Sequence, residues 1–242
     1  MKATALEYRF RFILHALLFA LGFWAPWCEA LGWTRRSTWL VLASWMYELR
    51  LLSFGAATYV VLVVAIVLLA LGAWMRVWGA SYVGASVVQS RDMHGEAMLA
   101  DGPYRRTRNP LYLGTILHTV GLAMLMPPSG AIFALVLLWI LQIRLALAEE
   151  PFLEQRFGSA YVAYRQAVPR FLPALTPRVP AAGKRPKWVQ GVLGEIYVVG
   201  VVITFAVFGW GFNATTLQRG VLISLGAWII VKALLPRAEQ NS

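Results

Sequence analysis

Cysteine and charged residues are both scarce in this chain of 242 residues. The single cysteine, Cys28, excludes a disulfide framework and a metal site built from several cysteines. Charged residues make up 14% of the sequence, against about 25% in a typical soluble domain, and hydrophobic residues make up 59%. These proportions exclude a disordered chain, a coiled coil and an ordinary water-soluble enzyme. The composition is typical of a membrane protein.

Several familiar catalytic motifs are also missing from the sequence. It contains no P-loop, no Rossmann glycine motif, no HExxH zinc motif and no hydrolase nucleophile elbow. Kinase and hydrolase functions therefore lose support, and no metal site is predicted. The net charge of +11 comes from Lys and Arg residues in the gaps between apolar runs. Since the positive-inside rule explains that distribution, nucleic acid is not a predicted partner.

Long uncharged runs predict an all-α, polytopic membrane protein of about six transmembrane helices, because about 20 apolar residues are needed to cross a bilayer. Basic residues before the first run leave a signal peptide as an alternative, but bulky Trp24 and Trp27 stand where a cleavage site needs small residues, which favours a retained span. Residues 38–47 are too few to cross and favour an interfacial or re-entrant helix over an additional span. The predicted spans are residues 12–27, 51–75, 110–126, 130–148, 196–218 and 220–235.

The uncharged stretch 109–143 is too long for one helix. It contains Pro127-Pro128-Ser129-Gly130, a sequence that ends a helix and turns the chain. It therefore predicts a helical hairpin over residues 110–148. With six spans, most Lys and Arg residues fall on the side of the termini and of the polar segments 76–108 and 149–190, which predicts that this side faces the cytoplasm.

Polar residues concentrate at the two ends of the hairpin, in segments 89–114 and 144–173. Because the helices fold back on each other, these segments are expected to meet at one membrane surface. The sequence Arg108-Asn109-Pro110 predicts a helix start, with Asn as the cap and Pro in the first position.

Two adjacent acids, Glu149 and Glu150, follow at the predicted end of the second hairpin helix. Carboxylates are unfavourable at a helix C-terminus and costly near a membrane, so a cationic partner is expected. Arg144, Arg108 and a cationic ligand are the candidates. An ordinary structural ion pair explains the acids equally well.

At these residues the sequence resembles the isoprenylcysteine carboxyl methyltransferases and the related phospholipid methyltransferases, which are integral membrane enzymes that use S-adenosylmethionine. The resemblance extends from about residue 55 to residue 173, and each of its pieces is weak without the others. The pieces are VVQ at 87–89, GPY at 102–104, RNPLYLG at 108–114, EE at 149–150, FGSAYVAY at 157–164 and VPRFLP at 168–173.

The resemblance implies a set of residues that contact S-adenosylmethionine. It also places a substrate-binding Arg one turn before the first acid, but Leu145 occupies that register here and Arg144 lies one residue earlier. Asn109 and Glu96 stand where His is common in the family, which weakens any transfer of substrate identity. The implied cofactor-binding residues are Gln89, Glu96, Ala97, Met98, Leu99, Tyr104, Asn109, Pro110, Leu111, Tyr112 and Glu149.

The resemblance thus implies methyl transfer to a lipophilic acceptor that arrives from the bilayer, such as a prenylated protein or a lipid. If the acceptor is a carboxylate, as in an isoprenylcysteine, it needs no strong base, and Arg144 is the candidate to orient it. If the acceptor is a phospholipid amine, a base is required, and Glu150 is the candidate. Arg144 and Glu150 are therefore the predicted catalytic residues.

Two other functions remain open at the level of sequence. A sterol-type membrane reductase needs a site for the 2′-phosphate of NADPH, which Arg105, Arg106 and Arg108 offer. A transporter or assembly factor is the non-enzymatic alternative, but no pair of broken helices marks a midplane site. The membrane is either a bacterial inner membrane or the endoplasmic reticulum, and oligomeric state is not predicted.

The predicted organisation has four parts. They are an N-terminal span with an interfacial segment at 1–54, a methyltransferase core at 55–173, a Pro-rich basic linker at 174–190 and two further spans at 191–242.

Overall fold

A computed structural model describes residues 2–83 and 100–234, and these residues form helices and connecting segments without a β-strand. The all-α prediction is thereby confirmed. A short 3₁₀ turn, Gly102–Arg105, precedes α6. The α-helices are α1 Ala5–Arg9, α2 Arg11–Trp24, α3 Trp27–Leu31, α4 Thr38–Glu48, α5 Phe54–Val83, α6 Pro110–Ala123, α7 Pro128–Phe157, α8 Ser159–Ala167, α9 Trp188–Gly194, α10 Ile196–Gly211 and α11 Ala214–Leu234.

Four helical stretches of the described chain are long and apolar enough to cross a membrane, so the protein is a multi-pass membrane protein. They are Arg11–Leu31, which joins α2 and α3, and helices α5, α7 and α11. A fifth is added if α9 and α10, which are bent by 73° at their junction, are counted as one span. The predicted count of six is not confirmed.

The missing span is α6, the first helix of the predicted hairpin. It has 14 residues, because Pro110 starts it and the chain turns before Pro127 and Pro128. At about 1.5 Å per residue, such a helix covers about 21 Å, less than the ~30 Å of a bilayer core. The hairpin itself is present, with α6 and α7 packed against each other.

Helix α7 corrects the interpretation of the twin acids. It was expected to end near residue 148, but it continues to Phe157 and ends at Gly158, whose φ of 55° suits glycine. Glu149 and Glu150 therefore lie inside the helix, and the argument from an unfavourable helix C-terminus is wrong. Pro151 inside the helix does not end it.

The boundary between the last two predicted spans also differs from the expectation. The chain turns at Phe212 and Asn213, several residues before the predicted break at residue 219. Phe212 adopts a left-handed conformation, and the side chain of Asn213 accepts a hydrogen bond from the backbone N–H of Thr215 at 2.9 Å. The turn is thus fixed by an Asn cap rather than by the first charged residue.

Helices α5 and α6 approach each other closely through glycines. A Cβ atom added at Gly72 would lie 2.7 Å from the carbonyl oxygen of Gly114, and one at Gly114 would lie 2.5 Å from Cγ of Arg76. Such close backbone contact is the usual way in which membrane helices associate. This contact places the start of α6 beside the last turns of α5, where the candidate site lies.

Candidate functional site

The two ends of the hairpin meet through direct side-chain contacts, as the sequence predicts. Nη1 of Arg108 donates to Oε1 of Glu150 at 2.6 Å. One turn further along α6, the hydroxyl of Tyr112 donates to Oε1 of Glu149 at 2.5 Å. The stretch that begins α6 and the twin acids of α7 therefore form one site at one end of the helix bundle.

Glu149 is held by two tyrosines. The Tyr8 hydroxyl donates to the same Oε1 atom at 2.7 Å, so this oxygen accepts from both Tyr8 and Tyr112. The guanidinium of Arg11 lies 4.3 Å from the centre of the Tyr8 ring and interacts favourably with the Glu149 carboxylate. Within the described chain, no hydrogen bond is made to the other oxygen, Oε2. The Oε2 atom is therefore placed to accept a hydrogen bond from a cationic group of a ligand.

Glu150 has a different environment, although it is the next residue. Its Oε1 accepts from Arg108 and from Nε of Arg170 at 2.8 Å, and its Oε2 accepts from Nη2 of Arg170 at 2.9 Å. The carboxylate raises the pKa of Arg170 above its usual value, mainly through these hydrogen bonds. Both oxygens of Glu150 are thus engaged by arginines, which is the arrangement of a structural anchor.

Arg144 pairs with neither acid of the twin pair. Its Nε and Nη2 donate to the two carboxylate oxygens of Glu7 in helix α1, at 3.2 and 2.7 Å. These bonds to Arg144 are the main cause that lowers the pKa of Glu7 to about 2. Both side chains keep about a quarter or more of their surface exposed, so the pair lies at the edge of the site.

Asn109 occupies the N-cap position of α6, as predicted, but not through a side-chain cap. Its side chain makes no capping bond to α6, and its Nδ2 donates instead to the carbonyl oxygen of Arg170 at 3.1 Å. Pro110 does occupy the first helical position, as predicted, and it packs against Gly79. The carbonyl of Leu111 accepts from Nη1 of Arg76 at 3.4 Å.

Tyr104 lies buried in the 3₁₀ turn that precedes α6. Its carbonyl accepts from the hydroxyl of Tyr164 at 2.8 Å, which ties the turn to helix α8. Burial is the main cause that raises the pKa of Tyr104 far above its usual value, and the nearby charge of Glu149 adds to the effect. The phenol is therefore neutral at all physiological pH values.

The linker that follows α8 wraps over this 3₁₀ turn. Arg105 donates to the carbonyl of Val179 at 2.9 Å, and Arg106 donates to the carbonyl of Leu175. With Arg108 paired to Glu150, all three arginines named for a 2′-phosphate site already have partners within the protein. This engagement argues against the reductase interpretation.

A buried ion pair joins the C-terminal helices to the same end of the bundle. Nε and Nη2 of Arg76 donate to the two oxygens of Glu195 at 2.6 and 2.8 Å. Glu195 lies at the bend between α9 and α10 and is almost fully buried. The Arg76 side chain also donates to the hydroxyl of Thr115 in α6.

Sequence reasoning missed Tyr8, Glu7 and Arg170 as neighbours of the twin acids. Arg170 is part of the VPRFLP piece of the family pattern. The position of this piece after the acids was the only sequence signal that could have placed Arg170 near them. Tyr8 and Glu7 belong to no piece of the family pattern, and only folding brings the N-terminus to α7. Five predicted cofactor-binding residues lie outside the described residues: Gln89, Glu96, Ala97, Met98 and Leu99.

No group of three or more His, Cys, Asp or Glu residues in the described ranges is arranged to hold a metal ion.

Comparison with known families adds independent information on this region. Residues 60–160 match the phospholipid methyltransferase family model. The match includes most of α5, all of α6 and all of α7 with both acids, and it leaves out helices α1 to α4 and the last three helices.

Two curated proteins are similar to part of the chain. One is a protein-S-isoprenylcysteine O-methyltransferase of Schizosaccharomyces pombe, 31% identical over 112 residues, which cover 44% of this chain and 47% of the relative. The other is protein-S-isoprenylcysteine O-methyltransferase B of Arabidopsis thaliana, 32% identical over 96 residues, which cover 39% of this chain and 48% of the relative. The chain thus matches about half the length of these relatives. The resemblance inferred from the sequence is confirmed over this region, whereas no solved structure gives a significant match.

Proposed function

We propose that this protein is a membrane methyltransferase that uses S-adenosylmethionine and methylates the carboxylate of a lipophilic acceptor similar to an isoprenylcysteine. The observation that carries the proposal is the meeting of Arg108 with Glu150 and of Tyr112 with Glu149. These contacts bring the two most specific pieces of the family pattern into one site beside the lipid.

The donor set at the site fits S-adenosylmethionine. This cofactor is cationic at both its sulfonium and its amino group, and Glu149 offers a carboxylate whose Oε2 receives no hydrogen bond from the described chain. Tyr8 and Tyr112 contact that carboxylate through its other oxygen, and the buried Tyr104 lies near it. When bound, S-adenosylmethionine supplies an activated methyl group on sulfur.

The residues of this chain then hold and orient the reactants. Glu149 balances the charge of the cofactor, and the polar groups of residues 109–112 fix its position. Arg144 lies on the same helix as Glu149, a little over one turn earlier, and orients the acceptor carboxylate by a charge-assisted hydrogen bond. Such alignment of two reactants is a large source of rate acceleration in a displacement reaction.

A carboxylate acceptor fits the surroundings of Glu150 better than an amine does. An amine acceptor needs a general base, and the candidate base already accepts from Arg108 and Arg170 through both of its oxygens. A carboxylate is ionised at neutral pH and needs no base. The names of the two curated relatives support the same choice.

Methylation of a phospholipid amine is the second candidate, favoured by the description of the matching family model. In either case the protein lies in the endoplasmic reticulum membrane or in a bacterial inner membrane. The site faces the cytoplasm, where S-adenosylmethionine is available. The Lys and Arg residues of the two segments that flank the site, 76–108 and 149–190, favour this orientation. The proposal includes the four parts predicted from the sequence, with the methyltransferase core at residues 55–173.

A transfer assay with paired acceptors tests the proposal. The protein in nanodiscs is incubated with methyl-labelled S-adenosylmethionine and a prenylated cysteine, its carboxamide, or phosphatidylethanolamine. We expect label only on the free carboxylate, as an ester that mild base hydrolyses. Label on the phosphatidylethanolamine nitrogen would select the second candidate. Transfer to none of the three acceptors would contradict both.

A further inference from the structure

Helix α1 reaches the candidate site from outside the region that matches the family model. A capping box between Thr4 and Glu7 fixes the start of this short helix. The N–H of Ala3 donates to the carbonyl of Arg144 at 3.0 Å, and Glu7 binds the side chain of the same arginine. These contacts hold α1 against α7 beside Glu149.

Tyr8 is the residue of α1 that enters the site. Its side chain is buried at 7% exposure, and its hydroxyl donates to Oε1 of Glu149 at 2.7 Å. Arg11 fixes it from the other side, with the guanidinium over the ring and Nη1 donating to the Tyr8 carbonyl at 3.0 Å. Burial, the bond to Glu149 and the contact with Arg11 together hold the ring against Glu149.

Both tyrosine hydroxyls bind the same carboxylate oxygen, and this determines the orientation of Glu149. Hydrogen bonds from a hydroxyl to a carboxylate are short and strong, typically 2.5–2.7 Å, and both of these fall in that range. With Oε1 held on two sides, the carboxylate cannot rotate without breaking a bond. Its Oε2 is then presented in a fixed direction.

We propose that Tyr8 is a positioning residue that, together with Tyr112, orients Glu149 toward the cationic part of S-adenosylmethionine. This inference rests on the proposed function. It assigns to the N-terminal helix a role in cofactor binding that the family-matched region does not contain. Residues that orient a ligand-binding group commonly matter almost as much as the group itself.

The test measures S-adenosylmethionine affinity by calorimetry in nanodiscs for the wild type and for Tyr8→Phe, Tyr112→Phe and Glu7→Ala. Tyr8→Phe and Tyr112→Phe each remove one bond to Oε1, and each should weaken binding by roughly tenfold. Glu7→Ala removes the bonds to Arg144 but keeps Tyr8, its bond to Glu149 and its contacts with Arg11, so it should weaken binding clearly less than Tyr8→Phe does. Tyr47→Phe, an exposed tyrosine at the end of α4, controls for loss of a phenol elsewhere.

The outcomes separate this inference from the proposed function. Wild-type affinity in Tyr8→Phe overturns the inference, and so does an equal loss in Glu7→Ala, which would mean that only the docking of α1 matters. If the wild type does not bind S-adenosylmethionine at all, the proposed function itself fails. If S-adenosylmethionine affinity falls about tenfold in Tyr8→Phe and in Tyr112→Phe, but not in the control variants, the result supports both the inference and the proposed function.

A kinetic readout adds a second criterion. Tyr8→Phe should raise the KM for S-adenosylmethionine and leave the KM for the acceptor unchanged, because Tyr8 acts through Glu149. A general loosening of the bundle would change both constants, and that result would overturn the positioning role.

Discussion

Tyr112 and Glu149 are 37 residues apart in sequence, and the hydroxyl of the first donates to the carboxylate of the second at 2.5 Å. This bond joins the first turn of α6 to the final third of α7. It exists because the chain turns at Pro127 and Pro128, so that the two helices run back along each other. The proposed cofactor site is built around this bond.

Loss of the Arg108 guanidinium should destabilise the protein. Arg108 and Glu150 are both about nine-tenths buried, and Arg108→Gln removes one of the two guanidinium groups that bind Glu150, while Arg170 keeps its own bonds to that carboxylate. The substitution is expected to cost about 1.5–3 kcal/mol in the free energy of unfolding. The measurement is the thermal unfolding midpoint in detergent.

The matched control for that experiment is Arg165→Gln. Arg165 pairs with Glu154 on the exposed side of the same region, so its loss should cost at most about 1 kcal/mol. Equal shifts in the two variants would contradict this prediction, because they would show that the buried bond from Arg108 to Glu150 contributes no more than an exposed ion pair.

Glu7 competes with an acceptor carboxylate for Arg144 if the proposed chemistry is right. Glu7→Gln should therefore lower the acceptor KM by up to about fivefold, the equivalent of a partly exposed ion pair. Arg144→Gln should raise the same constant and leave S-adenosylmethionine affinity unchanged. An acceptor KM that does not respond to either change would remove Arg144 from acceptor binding.

The effect of Glu7 should not depend on pH in the physiological range. Its pKa lies at about 2, lowered from 4.5 chiefly by the hydrogen bonds from Arg144. The stabilisation by this pair is fully present above 4.5 and is lost as the pH falls from there through 2. Acceptor KM ratios between Glu7→Gln and the wild type should thus be constant from about pH 6 to 8, and a clear trend would contradict this assignment.

Close contact between α5 and α6 should make Gly72 intolerant of a side chain. A Cβ atom there would lie 2.7 Å from both the Gly114 oxygen and the His118 nitrogen, so the helices must separate. Gly72→Ala is expected to destabilise the fold by about 1–3 kcal/mol. Gly226→Ala in α11, where a Cβ meets nothing within 4 Å, is the control and should be neutral or stabilising. An unchanged unfolding midpoint for Gly72→Ala would contradict the close packing.

Much of this arrangement could be predicted from the sequence because strong local signals specify it. The uncharged run and its Pro-Pro-Ser-Gly break specify the hairpin, and the order of the family pieces specifies which polar segments meet. Helix lengths were harder to predict from the sequence. Pro151 directly after Glu150 looks like a helix stop, but α7 continues through it to Phe157, so the predicted end near residue 148 was too early.

The partners of the acids could not be predicted, because they depend on long-range contacts without a periodic pattern. Tyr8 binds Glu149 across 141 residues, and Arg76 binds Glu195 across 119 residues. The place of Asn109 before Pro110 predicted its cap position, but not that its side chain donates to the carbonyl of Arg170 instead of capping α6. Arg144 lay close to the acids in sequence, and helix geometry directs it to α1 instead.

Calorimetric titration of S-adenosylmethionine into the wild type, Glu149→Gln and Glu154→Gln, each in nanodiscs, tests the central claim most directly. Glu154 lies on the same helix but pairs with Arg165 away from the site, so it is the matched control. We predict saturable binding to the wild type and to Glu154→Gln, and a loss of at least about tenfold in Glu149→Gln. The same affinity in all three proteins, or no binding to the wild type, would contradict the proposed site.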